Sequence, residues 1–186
     1  MRRWIVPVLM ISLLLGGCGN SAQEKLTRQR ETLADAGTIA FTAEITANIG
    51  SEVFSCTARC SWTPEETVVE LTAPENLAGI RARLRDGETL LEYEQISLGV
   101  GNAGATELSP AAAVPLLAEA LRSGFLQRCW TERQEERELL AAQIYVSDAA
   151  ELTVWYDGET LAPAAAEFSR DGAMALRCEI TDFNFQ

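Results

Sequence analysis

The sequence predicts an α+β domain in which one antiparallel sheet of about ten strands curls into a half-barrel, with helices on its concave face. Three observations support this fold class. Runs of alternating apolar and polar residues recur along most of the chain, turn residues such as Asp-Gly pairs separate them, and two segments have helical periodicity. A long meander must curl and cover its concave face, and the two amphipathic helices are available for this purpose.

The first helix is predicted over residues 23–36, where Leu26 and Leu33 form an apolar seam among many charged residues. After it the period changes from helical to alternating. The clearest strand runs from Glu52 to Trp62, and the Asp86-Gly87 pair marks a tight hairpin because both turn positions need positive φ. Eight of the predicted strands have definite bounds, and these are residues 39–49, 52–62, 67–72, 80–85, 88–93, 152–156, 161–169 and 173–183.

A second helix interrupts the meander between Ser109 and Gly124. Ser109 is a suitable N-cap, Pro110 suits the first helical position, and Gly124 suits the C-terminal cap. Pro115 comes early enough to bend this helix without ending it. Its apolar stripe must face the sheet, so these side chains would border any cavity: Val114, Leu117 and Leu121.

The N-terminus has the organisation of an export signal. Two arginines precede an apolar run over residues 4–15, which is too short to span a bilayer but fits a signal peptide. The sequence Leu15-Gly16-Gly17-Cys18 then resembles the lipobox of bacterial lipoproteins. This resemblance implies a signal peptide over residues 1–17, a diacylglycerol on Cys18, a tether over residues 18–22 and a single domain over residues 23–186. The alternative is an ordinary signal peptide with a chance cysteine.

The composition excludes several classes of function. Removal of residues 1–17 takes away two arginines and no acidic residue, so the net charge changes from −12 to −14. Such a chain has no basic footprint for nucleic acid or for anionic lipid, and we interpret the acidity as serving solubility in preference to forming an acidic binding surface. Histidine is absent, which removes the commonest general base and metal ligand. We therefore expect no enzyme and no metal site, and we interpret the glycine-rich residues 99–104 as a flexible loop.

Four cysteines lie beyond Cys18. Cys56 and Cys60 are four residues apart on one predicted strand, about 13 Å, which is too far for a disulfide. Three alternatives stay open. First, all four can be free thiols, because three of them alternate in step with apolar neighbours on their strands. Second, they can form intramolecular bridges, either 56–129 with 60–178 or 56–178 with 60–129. Third, Cys129 can form a bridge between two molecules. A zinc site is disfavoured without histidine.

Large aromatic side chains are candidates for a ligand pocket, although each of them is individually more typical of a core. The aromatic residues considered are Trp62, Tyr93, Trp130 and Trp155. Together with the stripe of the second helix, they give the predicted hydrophobic pocket, which consists of Trp62, Tyr93, Val114, Leu117, Leu121 and Trp155.

Two stretches carry a family resemblance. Residues 152–163 place an aliphatic strand, Trp155-Tyr156, Asp157, a turn and Pro163 in succession, and residues 74–79 read PENLAG. Residues 23–186 resemble the LolA/LolB family of lipoprotein carriers and the related LppX-type lipoproteins. The resemblance lies in these two stretches and in the order of elements, which is helix, meander, helix, meander. Soluble LolA has no lipid anchor, so the lipobox fits LolB, LppX or the Gram-positive LolA-like lipoproteins better.

The resemblance implies an exported lipoprotein that binds a lipid or acyl chain in a half-barrel cavity, with the covalent lipid on Cys18 as its only cofactor. Its partners would be the membrane, a lipid or acylated protein, and an envelope protein. It would lie outside the cytoplasm, on the outer face of the cell membrane or at an outer membrane. The alternative is an envelope or spore-germination lipoprotein whose packed fold binds a protein partner without carrying lipid. An open apolar cavity of roughly several hundred Å³ would favour the first reading.

Overall fold

The computed structural model describes residues 19–49, 51–101, 110–134, 137–147 and 150–186. These residues form two helices and eleven strands. The helices are α1 (Gly19–Ala34) and α2 (Pro110–Ser123). The strands are β1 (Ile39–Ile49), β2 (Glu52–Trp62), β3 (Thr67–Ala73), β4 (Arg81–Arg85), β5 (Glu88–Tyr93), β6 (Ile96–Gly101), β7 (Phe125–Gln134), β8 (Arg137–Ser147), β9 (Ala150–Asp157), β10 (Pro163–Arg170) and β11 (Ala173–Phe185).

All eleven strands belong to one antiparallel sheet in the order β6-β5-β4-β3-β2-β1-β11-β10-β9-β8-β7. The first and last strands of the chain, β1 and β11, pair in its middle, and β6 and β7 are the edges of the described sheet. The sheet is open and both helices pack on one face of it, which confirms the predicted α+β half-barrel. The count of eleven strands is close to the predicted ten.

Turn residues behave as the sequence predicts. Asp86 and Gly87 have φ values of 51° and 80°, and Asp171 and Gly172 have values of 53° and 75°. Positive φ at both central positions is the geometry whose twist matches that of the flanking strands, and Gly adopts it without steric cost. These turns set the registers of the hairpins β4–β5 and β10–β11.

The core lies between the middle of the sheet and the two helices. Phe41, Ala43 and Ile45 on β1 are at most 3% exposed, and the same alternation buries one face of β2. From the helices, the predicted seams are fully buried: Leu26 and Leu33 of α1, and Val114, Leu117 and Leu121 of α2. Helix α2 continues past Pro115 to Ser123, as expected.

Two predicted boundaries are wrong. Residues 19–22, expected to be a tether, form the first turn of α1. Ala22 is 7% exposed and joins the buried seam of α1, so this turn gains packing that an extended tether would not. Gly99 and Gly101, expected in a flexible loop, belong to β6, where pairing with β5 outweighs the poor strand propensity of glycine.

Several predictions fall on residues outside the described ranges. They concern the signal peptide over residues 1–17, the lipid attachment at Cys18, the N-cap at Ser109 and the loop residues 102–104. Among the helices that are described, neither is long and apolar enough to cross a membrane.

Candidate functional site

A single row of cross-strand neighbours shows where the helices cover the concave face. The row crosses six strands, from β1 to β6, through direct pairs in register. Its exposed fractions are 3%, 2%, 2% and 5% for the first four members, intermediate for the fifth and 59% for the sixth. Its members in order are Phe41, Cys60, Val69, Ala82, Leu91 and Leu98. The cover therefore ends near β5.

Beyond that limit the concave face stays apolar and becomes exposed. Tyr93 faces Ile96 across β5 and β6, and Leu91 faces Leu98. Tyr93, Ile96 and Leu98 are 43%, 70% and 59% exposed. We call these four residues the open wing. Scattered exposed apolar side chains are ordinary, but several on one face of adjacent strands form a patch of the kind that binds ligands or partners.

The open wing continues into a groove beside α2. The groove has a volume of 360 Å³ and lies between α2 and the hairpin ends of β2–β3 and β4–β5. Leu84 in the groove is a diagonal neighbour of Leu91 in the open wing, because Ala82 faces Leu91 and Leu84 faces Thr89. The apolar lining of the groove comes from Trp62, Pro64, Leu84, Ala112, Pro115 and Leu116.

Charged side chains form the rim of the groove. Glu66 pairs with Arg83 at 3.0 Å and Glu119 pairs with Arg122 at 3.1 Å, while the Arg122 guanidinium lies 4.6 Å from the ring centroid of Trp62. The hydrogen bonds that Arg83 donates to the carboxylates of Glu92 and, next, of Glu66 raise the pKa of Arg83. The groove thus combines apolar side chains with the ion-paired carboxylates of Glu66 and Glu119, an arrangement that suits an amphiphile with its chain inside and its head at the surface.

The rest of the concave face is sealed. Helix α1 packs on α2 and β7, and α2 packs on β1, β2, β3 and β8. Arg30 fastens the two helices, since its Nη2 donates to the carbonyl oxygens of Gly124 and Ala120 at the C-terminal end of α2. The Tyr156 hydroxyl is fully buried here without a hydrogen-bond partner among the described residues, and burial raises its pKa. We call this part the sealed half.

The structure does not bring the six predicted pocket residues together. Trp62 lines the groove, Tyr93 belongs to the open wing, and Trp155 lies on the outer face of the sheet. The remaining three point into the sealed half with no exposed surface: Val114, Leu117 and Leu121. Their neighbour Leu116 lines the groove instead. Any role of these side chains in ligand binding stays a prediction.

Sequence reasoning missed the most exposed members of the site. Ile96 and Leu98 alternate with Ser97 and Gly99, and this short period-two pattern was the available signal for β6. Leu116 follows Pro115 and precedes Leu117, so the helical period alone gave it no distinct role.

The four described cysteines carry free thiols in the structure. Cys56 and Cys178 both face Ile45, from opposite sides of β1, which puts them two strands apart, about 10 Å, too far to bridge without movement. Burial raises the pKa of Cys60 and of Cys178 to about 12. Within the described residues, no group of cysteine and acidic side chains is arranged to hold a metal ion.

Comparison with known proteins extends the description of the fold. No protein-family model matches the sequence, and no curated protein is significantly similar to it. A putative outer membrane lipoprotein-sorting protein domain from Vibrio parahaemolyticus superposes with a TM-score of 0.50 at 11% identity, over 89% of this chain and 93% of that one. The chain has a LolA-like fold.

Two further solved structures share this LolA-like fold. A DUF1329 family protein from Desulfovibrio piger has a TM-score of 0.52 at 9% identity, over 91% of this chain and 94% of that one. An uncharacterised conserved protein from Thermus thermophilus has a TM-score of 0.52 at 12% identity, over 89% and 88%. At these identities the likeness concerns the fold, so the function must be argued from the site.

Proposed function

We propose that this chain is an exported, membrane-anchored lipoprotein that holds a lipid or acyl chain along the groove and the open wing. The observation that carries the proposal is the exposed apolar face of Tyr93, Ile96 and Leu98, which continues the core residues of the same rows. Covering such a face with an acyl chain removes apolar area from water at about 25 cal/mol per Å². The LolA-like fold supports the proposal.

The anchor part of the proposal rests on the lipobox Leu15-Gly16-Gly17-Cys18. Two acyl chains on Cys18 hold a protein on a bilayer stably, whereas one chain does so only marginally. The domain would then work on the outer face of the cell membrane, or at an outer membrane. We expect Cys18→Ala to leave the membrane fraction, and a variant that still pellets with membranes after a carbonate wash would contradict the anchor.

The binding part is tested with a fluorescent fatty acid and two leucine variants. Leu98→Asp places a charge where it can reach water, so we expect a folded protein that has lost most of its probe binding. Leu90→Asp is the matched control, because Leu90 is also partly exposed, at 38%, and lies next to Leu91 on β5, where successive side chains point to opposite faces. Equal probe binding by both variants would contradict the proposed ligand surface.

Native mass spectrometry of the purified protein checks the same proposal without a probe. A co-purified lipid that is present in the wild type and reduced in Leu98→Asp is the expected result. A protein that carries no lipid and takes up no acyl probe would favour the rival function, in which the open wing binds an envelope protein.

A further inference from the structure

Two tryptophans lie on the outer face of the sheet, far from the open wing, on either side of one small residue. Trp130 on β7 and Trp155 on β9 are both direct neighbours of Ala141 on β8. Their indole N–H groups donate to the two oxygens of one carboxylate, Glu132, at 2.6 and 2.9 Å. Ala141 is fully buried yet lies outside the main core. The shared acceptor therefore fixes both indole rings over a small outer cluster.

A depression of 370 Å³ opens beside Trp155. Ala165, the cross-strand neighbour of Trp155, carries only a methyl group, so the depression reaches the indole. Arg177 is held in place, because its Nε donates to Glu179 at 2.8 Å and its guanidinium lies 5.5 Å from the Trp155 ring centroid. The polar side chains that line it are Gln134, Arg137, Arg177 and Glu179.

We propose that this depression binds a saccharide. A pyranose ring has a face of C–H groups, which packs on an indole, and a rim of hydroxyl groups that both donate and accept hydrogen bonds. The depression offers one fixed indole together with an amide at Gln134, guanidinium donors at Arg137 and Arg177, and a carboxylate acceptor at Glu179. Planar polar groups around a rigid aromatic ring are what such a ligand requires.

The charges and the position of the depression argue against two other classes of ligand, polyanions and acyl chains. Two carboxylates balance the two guanidinium groups at the depression, since Arg177 pairs with both Glu167 and Glu179, so no net positive field attracts a polyanion. Its polar lining does not suit an acyl chain, which the open wing on the opposite face would take. If the proposed envelope location holds, the saccharide is an envelope glycan, and both sites can be occupied at once.

The test uses the full-length mature protein in lauryldimethylamine oxide, a detergent without sugar. Isothermal calorimetry and tryptophan fluorescence follow titration with N-acetylglucosamine tetramer and, separately, with maltotetraose. We expect one of these sugars to bind with micromolar to millimolar affinity, Trp155→Ala to weaken that binding at least about tenfold, and Trp155→Phe to keep most of it. The two sugars distinguish an acetamido glycan from a plain glucan.

Controls keep the outcome decisive. Tyr145→Ala removes a different aromatic side chain, which is 44% exposed on the neighbouring strand β8, and should bind sugar as the wild type does. If Trp155→Ala fails to fold by circular dichroism, Arg137→Ala and Glu179→Gln replace it, because both side chains are exposed and substitutions at exposed sites usually change stability little. Leu98→Asp should keep sugar binding even if it loses acyl binding. Absence of binding for both sugars at millimolar concentration, or undiminished binding in all the site variants, would overturn the proposal.

Discussion

The sealed half and the open wing are parts of one sheet with the same alternation, yet one is core and the other is exposed. The difference arises because the helices are shorter than the sheet is wide. Eleven strands at about 4.8 Å spacing give an arc of roughly 50 Å, whereas α2, with 14 residues, is about 21 Å long. Two helices of this size cover the middle strands and leave β6 and part of β5 exposed. The apolar concave face thus becomes a candidate binding site where the two helices no longer cover it.

The largest expected difference is in the free energy of unfolding, between leucine variants in the sealed half and in the open wing. Leu117→Ala empties a fully buried site and should lower the free energy of unfolding by about 2–5 kcal/mol, whereas Leu98→Ala, at a site 59% exposed, should lower it by less than about 1 kcal/mol. Urea denaturation followed by circular dichroism measures both. Similar losses in the two variants would mean that the open wing is as packed as the sealed half. Leu117→Glu should not fold, because it buries an unpaired charge.

The next difference is in the reactivity of buried and half-buried cysteine thiols. Burial raises the pKa of Cys60 and Cys178 to about 12, so at pH 8 almost none of either thiol is ionised, and only the thiolate reacts. Cys129, which is half-buried on the edge strand β7, should react with Ellman's reagent at least about a hundredfold faster than Cys60. Without reductant, the denatured protein should show mostly free thiols. Four blocked thiols would contradict the free cysteines and add bridges worth about 2–4 kcal/mol each.

Two glycines differ sharply in the space around them. A Cβ added at Gly124 would lie 2.5 Å from Ile144 Cγ2 and 2.7 Å from the Ala120 carbonyl oxygen, while at Gly99 it would meet nothing within 4 Å. Gly124→Ala should therefore cost about 1–3 kcal/mol of stability, and Gly99→Ala should be neutral or slightly stabilising. Thermal melts of the two variants compare them directly, and a destabilised Gly99→Ala would show that the outer face of β6, which Gly99 shares with Leu90, is packed.

Much of this contrast could be read from the sequence, and the reasons for the remainder are physical. The alternation on β1 and β2 predicted both strands with the bounds that the structure has, and the stripe of Leu117 and Leu121 predicted the face that α2 buries. Strand β8 was not predicted as a separate strand, because residues 139–144 are buried on both faces and apolar side chains therefore do not alternate there. The extent of the helix cover follows from tertiary packing, which is why the predicted pocket was centred on Leu117 and not on Leu98.

The smallest effect is expected at the rim of the sealed half, in the turn after β9. Asp157 Oδ1 accepts hydrogen bonds from the Thr160 backbone N–H at 2.8 Å and from the Thr160 hydroxyl at 2.9 Å, and these bonds lower the pKa of Asp157. A lowered pKa in the folded state adds stability above the unfolded pKa of about 3.9, and this stability is lost as the pH falls through the folded value.

Asp157→Asn should therefore cost no more than about 1 kcal/mol at pH 7, since solvent screens this carboxylate, and less than that at pH 3. Denaturation at the two pH values measures the difference. A gap between wild type and Asp157→Asn that widens as the pH falls would contradict this assignment of the charge.

Photolabelling with a diazirine-bearing fatty acid tests most directly whether the open wing, and not the sealed half, holds the hydrophobic ligand. Peptide mapping of the labelled protein should place the crosslinks in residues 84–98 and 112–119, which contain the open wing and the α2 side of the groove. Excess unlabelled fatty acid should abolish them. Crosslinks on the sealed strands, in residues 140–156, or no label that competitor removes, would contradict the account.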